Sequence, residues 1–277
     1  MKLSSDIITS RSNPLVKWAS SLGDKKYRDA EGAFLIEGEK LSFEALDAGL
    51  PVIRIFVEEG KQAGIMPRLD KYSGNEKYEQ TSITLLSESA FSKISSEKSP
   101  QGIIIAIKYL DFFRKLDIIY KEEFFLKPSE RAIILCSIRD PGNLGSVIRS
   151  AVAFGTEHII LTDDCVDLYN SKTVRAAMGS LFKIKATVVS DMTACIDAIR
   201  SQGRRVFAAE LRQNAVPISE ITPDSSDVVV IGNEGHGISH DISTACTGSI
   251  YIPISENTES LNASVAAGVL MWEFSKK

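Results

Sequence analysis

Three short segments concentrate the residues whose types and spacing suit chemistry. In IGNEGHGIS (Ile231–Ser239), Gly232, Gly235 and Gly237 surround Glu234 and His236, directly after the apolar run DVVV. Backbone stripped of side chains at a strand end leaves N–H and C=O groups able to bond a ligand edge at close range. That ligand does not read as a dinucleotide, because no long helix with an acid about 20 residues on follows the glycines, nor as a P-loop phosphate, because no Lys-Ser/Thr pair follows them. His236 and His240 are four apart, but Gly237 lies between them and no Glu follows the first, so no metal site is expected. In RDPGNLGSVIRSAVAFG, Leu144, Val147, Ile148 and Ala151 take the spacing of a buried helix stripe, and Arg149 falls one residue off it, able to reach toward the strand ends. Asn143 stands at the helix start, where an N-cap is wanted. In SENTESLNASVAAG, Ser260, Asn262 and Ser264 surround the start of the last helix, and capping explains only one of them. Taken singly, a cap and a solvated arginine account for Asn143 and Arg149 as well.

The elements that must position these segments alternate strand and helix. AIILCSI, HIILTD, LFKIKATVV, RVFAAEL, DVVVIG and SIYIPI read as strands. Helices are read in LGSVIRSAVAFG, SKTVRAAMG, MTACIDAIRSQG, a short piece after GHGIS, and the C-terminal LNASVAAGVLMWEFS. Uniformly apolar strands alternating with helices predict an α/β fold with a parallel sheet covered on both faces. Ligands on such sheets bind beyond the carboxyl ends of the strands, where RDPGN, GNEGHG and SENTESLN all fall. RDPGN itself reads as a turn centred on Pro141 and Gly142. This second block spans 131–277. A first block, 1–108, alternates AFLIEG, the helix EKLSFEALDAG closed by Gly49, VIRIFVEEG, SITLLS, the helix ESAFSKISS and GIIIAIK, and predicts a small α/β domain. Residues 109–130, charged and aromatic, read as a linker.

The 277 residues suit two domains rather than one. No apolar run approaches the roughly 18 residues of a membrane span, and MKLSSDIITSRSNP lacks the apolar centre of a signal peptide, so a cytoplasmic protein without membrane attachment is expected. Cys136, Cys165, Cys195 and Cys246 form no CxxC pair and read as reduced, mostly buried thiols. A net charge of -4 argues against a chain that coats nucleic acid indiscriminately. The 13 basic and 16 acidic residues of 131–277 make that block a poor field for RNA. The first 30 residues differ: Lys2, Arg11, Lys17, Lys25, Lys26 and Arg28 outnumber three acids, with Trp18 and Tyr27 available to stack on bases.

Together and in this order, RDPGNLGSVIRSAVAFG, VVVIGNEGHGIS and IPISENTESLNASVAAGVLMWE resemble the three motifs of the SpoU (TrmH-like) branch of the SPOUT RNA methyltransferases. The likeness covers residues 131–275. The first block resembles the ribosomal-protein L30e-like substrate-binding domain that often precedes it. Many members carry Asn where this chain has Asp140. The resemblance implies a C-terminal trefoil knot holding S-adenosylmethionine, transfer of its methyl group to a ribose 2′-hydroxyl of ribosomal RNA or tRNA, and a homodimer formed through the second block. By motif position it assigns the cofactor to Gly232, Ile252 and Leu261, with Glu210 and Ser260 completing that set. It assigns the reaction to Arg149, with Asn143 and Asn262 orienting it and the ribose, and Glu234 holding an arginine or the loop. A guanidinium keeps its proton far above neutral pH, so electrostatic stabilisation of a forming alkoxide is its more cautious role. Arg11, Lys17, Lys25, Lys26 and Arg28 are the expected RNA contacts. The apolar last helix, with Val265, Val269, Leu270 and Trp272, offers either a dimer surface or plain core. Two other readings stay open at this stage: a catalytically silent RNA-binding protein of the same fold, and a small-molecule enzyme on an ordinary doubly wound sheet.

Overall fold

Strands that are apolar from end to end need a sheet with no wet face. The computed structural model describes residues 1–4, 6–116, 124–233 and 235–276. Its first block folds as β1 (Lys2–Leu3), α1 (Pro14–Ser21), α2 (Lys25–Glu31), β2 (Ala33–Glu37), α3 (Glu39–Asp47), β3 (Val52–Glu58), α4 (Gln62–Leu69), β4 (Ser82–Leu86), α5 (Glu88–Ile94) and β5 (Ile103–Lys108). These strands form one sheet in the order β1-β4-β3-β5-β2. β1, β4 and β3 run parallel, and β5 runs antiparallel to β3 and β2.

The second block contributes β6 (Phe113–Leu116), β7 (Ala132–Leu135), α6 (Pro141–Ala153), β8 (His158–Thr162), α7 (Ser171–Ala177), β9 (Lys185–Val189), α8 (Met192–Ser201), β10 (Val206–Ala209), β11 (Val216–Pro217), β12 (Val228–Ile231), α9 (His240–Ala245), β13 (Gly248–Tyr251) and α10 (Ala263–Ser275). All its strands pair in parallel, in the order β11-β13-β10-β12-β7-β8-β9-β6. Every residue of β7 and β12 is buried, as the unbroken apolar runs require. From β7 the chain fills one side through β8 and β9, then crosses back to build the other through β10, β12 and β13. The crevice where a sheet changes direction in this way is where ligands bind in open α/β folds.

By its contacts the chain divides into Met1–Leu110 with Tyr169–Phe182, and Asp111–Leu168 with Lys183–Lys277. This corrects the sequence-based boundaries in two places. Residues 111–116 and 124–130, read as part of a linker, pack into the second unit. Phe113–Leu116 forms the edge strand β6 against β9. Phe124 and Leu126 are buried, and the Gln202 amide holds both of their backbones. Arg204, 5% exposed, donates to the carbonyls of Lys127, Pro128, Glu130 and Ser226. Residues 117–123 lie outside the described residues. The second correction concerns α7, read as part of the 131–277 block, which groups with the first unit. Tyr169, just before it, stacks on Tyr109 at 4.1 Å between ring centroids and accepts the Leu110 N–H at 2.8 Å.

The cysteines are free thiols; three are buried and Cys165 is half-buried. Burial pushes the Cys195 and Cys246 thiols up to about 12, which keeps them protonated and unreactive at neutral pH. Among the described residues no helix is long and apolar enough to cross a membrane, and no three His, Cys, Asp or Glu side chains gather as a metal site.

Candidate active site

The carboxyl ends of β10, β12 and β13 open into a cavity of about 400 Å³, within the range of small-molecule sites. Ala209 to Leu211 lie at the end of β10, Ile231 to Asn233 at the end of β12, and Ile250 to Ile252 at the end of β13; Ala263, Ala266 and Leu270 of α10 close the far wall. The five residues assigned to the cofactor from the sequence, Gly232, Ile252, Leu261, Glu210 and Ser260, all line this one cavity. Its described lining includes two carboxylates, Glu210 and Glu259, and neither Lys nor Arg. That is a poor cradle for phosphate, and Glu259 offers an acidic group to a ligand that carries a sulfonium or an ammonium. Apolar walls from Leu211, Ile231, Ile250, Ile254 and Leu261 suit a purine ring and an alkyl stem. Glu210 has little acceptor capacity left for a ligand: its carboxylate accepts from Ser243 and Ser249 and pairs with Arg212 at 3.0 Å. Its part is to fasten β10 to α9 and β13.

Gly232 is bare for a different reason from the one its sequence context suggests. A Cβ built there would sit 2.4 Å from the Gly237 carbonyl carbon and 2.7 Å from the Ile238 nitrogen. What approaches Gly232 is the returning backbone of its own loop, and the ligand space lies beside that crossing. The loop closes through paired bonds between Asn233 and Gly237, 3.1 and 2.9 Å long, with Gly237 at a φ of 66° that only glycine takes freely. Asn233 organises it: its side-chain oxygen accepts from Gly235 N and His236 N, and its amide donates to the Ser137 carbonyl at 2.8 Å. The sequence reading passed over Asn233 in favour of Glu234, which lies outside the described residues. An Asn two residues past a strand end and two before a glycine is an Asx-turn signal that could have found it.

The first loop is a helix start and not a free turn. Pro141 occupies the first position of α6, and Asp140 is the N-cap, its carboxylate accepting from Asn143 N at 2.8 Å. Asn143 is therefore inside the first turn, which frees its side chain from capping. Its Oδ1 accepts from Asn262 Nδ2 at 3.0 Å, joining the first and third loops. Asn262 meanwhile caps α10 through Ser264 N and Val265 N. Arg149 is exposed on α6 beside the buried stripe of Leu144, Val147, Ile148 and Ala151, as its spacing requires. No described side chain pairs with it, and it does not line the cavity. The structure thus joins two of the expected catalytic residues directly and leaves Arg149 turned to solvent.

Of the expected RNA contacts, Arg11, Lys17, Lys25 and Lys26 are exposed. Arg28 is not: it is 4% exposed and donates to the Leu22 and Gly23 carbonyls at 2.9 and 2.8 Å, satisfying the end of α1. It is removed from the RNA set. Trp18 packs against the core and donates to Glu31, which leaves Tyr27, 48% exposed, as the accessible ring of the patch.

Residues 130–272 match the model of the SpoU rRNA methylase family. The chain belongs to the SpoU rRNA methylase family. Residues 13–105 match an MRM3-like substrate-binding domain, which gives the first block of this SpoU methylase its class. A 23S rRNA (guanosine(2553)-2′-O)-methyltransferase of Bacillus subtilis, RlmP, is 32% identical over 265 residues, covering 96% of this chain and 97% of the relative. Among solved structures, an rRNA methyltransferase of Sinorhizobium meliloti superposes with a TM-score of 0.83 at 27% identity, over 99% of this chain and 98% of that one. The same bacterium's AdoMet-bound rRNA methyltransferase gives 0.82 at 28%, over 97% of each chain. The family resemblance seen in the three motifs, and the α/β architecture with a parallel sheet and a preceding substrate-binding domain, hold.

Proposed function

We propose that this SpoU methylase transfers a methyl group from S-adenosylmethionine to a ribose 2′-hydroxyl of ribosomal RNA, acting in the cytoplasm. The observation that carries the reading is the single cavity at the strand ends that gathers Gly232, Ile252, Leu261, Glu210 and Ser260 beside the Asn143–Asn262 contact. Ribosomal RNA is favoured over tRNA by the family match and the 32% relative. The same match supports a trefoil-knotted C-terminal end.

When bound, S-adenosylmethionine supplies a methyl group already activated by its positively charged sulfur. The protein's task is then to align a ribose oxygen and to manage one proton. Main chain at Gly232, Ile252 and Leu261 holds the cofactor, and the apolar walls exclude water around it. Asn143 and Asn262, locked to each other, orient the ribose. Arg149 stabilises charge developing on the 2′-oxygen without giving up its own proton. Mass analysis of nucleosides from ribosomal RNA incubated with protein and S-adenosylmethionine tests the reading: a 2′-O-methylated nucleoside is expected, and methylation on a base, or none, overturns it.

The first block supplies RNA affinity through Arg11, Lys17, Lys25 and Lys26, with the Lys26 ammonium 6.0 Å from the Tyr27 ring. Replacing Lys17, Lys25 and Lys26 by Ala is expected to weaken RNA binding and to flatten its salt dependence, by roughly 0.7 to 0.9 in slope for each phosphate no longer neutralised. S-adenosylmethionine affinity is expected to stay unchanged. An unaltered slope places recognition elsewhere.

The protein forms a homodimer through α10. Val265 and Trp272, 50% and 51% exposed, are apolar surface on that helix, while Leu270 belongs to the cavity wall. Light scattering at micromolar concentration is expected to give twice the chain mass, and a monomer mass contradicts the interface.

A further inference from the structure

We propose that Asp164 is a positioning residue for the cofactor loop, acting through the left-handed backbone of Ser137. Asp164 lies outside all three motifs, two residues beyond β8. Its Oδ2 accepts from Ser137 Oγ and from Arg139 Nη2, each at 2.7 Å, and its Oδ1 accepts from Thr162 Oγ1 at 2.5 Å. Thr162 Oγ1 in turn accepts from Ser137 N at 2.8 Å. Two independent bonds, one to its main chain and one to its side chain, therefore pin Ser137.

The pinning has an object. Ser137 has a φ of 56°, a conformation that a residue with a Cβ takes only when its surroundings impose it. That turn aims the Ser137 carbonyl at the Asn233 amide, 2.8 Å away. Asn233 folds the Asn233–Gly237 loop and itself lines the cavity. A continuous chain of contacts thus runs from the Asp164 carboxylate through Ser137 to the cavity wall. Burial raises the Asp164 carboxyl, but bonds from Thr162 and Ser137 and the charge on Arg139 outweigh it and hold the group below the ordinary carboxylate range. It is an anion, acceptor only, at neutral pH.

The proposal rests on the reading of the cavity as the S-adenosylmethionine site. Calorimetric titration of the full-length protein with S-adenosylmethionine tests it. Asp164→Ala removes the side-chain half of the clamp and the acceptor that orients the Thr162 hydroxyl, and its affinity is expected to fall up to roughly tenfold, about the weight of one strained backbone residue. Turnover at saturating cofactor and RNA is expected to fall less than affinity, because Asp164 does not line the cavity. Adding Ser137→Gly to Asp164→Ala is expected to recover most of the affinity, since glycine takes the left-handed backbone unaided. Because glycine at a left-handed position also stabilises the fold as a whole, thermal melting of both variants separates recovered affinity from recovered stability. Ser137→Ala, which leaves Asp164 bonded to Arg139 and Thr162, is expected to weaken binding in the same way and serves if Asp164→Ala does not fold. Unchanged affinity in Asp164→Ala, or a loss that Ser137→Gly leaves in place, overturns the proposal. Absence of binding heat in the unmutated protein overturns the cavity reading itself, a distinct result.

Discussion

Arg149→Ala is expected to lower the rate of methyl transfer by about 100- to 1,000-fold, the usual weight of one donor aimed at a developing oxyanion. S-adenosylmethionine affinity is expected to stay within measurement error, because Arg149 does not line the cavity. Its exposure on α6 and the lack of a partner among the described residues make a purely structural role a poor account. Arg149→Lys separates the two catalytic roles. A lysine keeps the charge and loses the planar fork, so partial recovery points to electrostatics and none points to bidentate contact with ribose or phosphate. Single-turnover kinetics with saturating cofactor is the measurement, and near-normal turnover of Arg149→Ala removes the residue from the site.

Gly232→Val is expected to abolish detectable S-adenosylmethionine binding and to destabilise the fold by about 1–3 kcal/mol. The geometry at this position gives the loss two components. The added Cβ would overlap main-chain atoms at 2.4 to 2.7 Å, and backbone, unlike a flexible side-chain end, cannot step aside cheaply. The loop from Asn233 to Gly237 must move, and the cavity wall moves with it. Gly232→Ala carries the same Cβ without the branches and is expected to show the binding loss with a smaller stability change. Calorimetry and thermal melting together check this. A folded Gly232→Val with unaltered affinity would place the cofactor elsewhere.

The large-scale order of the fold was legible because its cause is local. Unbroken apolar runs such as AIIL and VVVI can only be strands with two covered faces, and the helix stripe of α6 follows from four spacings. That Gly232, Ile252, Leu261, Glu210 and Ser260 gather at one cavity was legible because each sits at or near the carboxyl end of a strand or the start of the last helix. The site was illegible where a side chain's fate depends on distant main chain. Arg28 looks like any surface arginine in KKYR, and only the folded end of α1 shows two carbonyls waiting for it. RDPGN looks like a turn because Pro and Gly also make turns, yet Pro141 at the first helical position, behind an aspartate cap, is an equally good fit. The strand FRKL has no alternation to read; its pairing with β9 is decided by the sheet edge. Ser137 carries no mark of its left-handed backbone, since serine seldom takes it, so the chain of contacts behind the cofactor loop was invisible.

The cavity also has an order of assembly. All of its described walls lie between Ala209 and Leu270, and the last piece to be made is α10. Chains are synthesised from the amino end and fold in units as they emerge. The first sheet and most strands of the second are therefore in hand well before the pocket has a closing side. A chain made only as far as β13 lacks the surface formed by Ala263, Ala266 and Leu270. The cavity is therefore complete only when α10 has joined the strand ends that form its other walls.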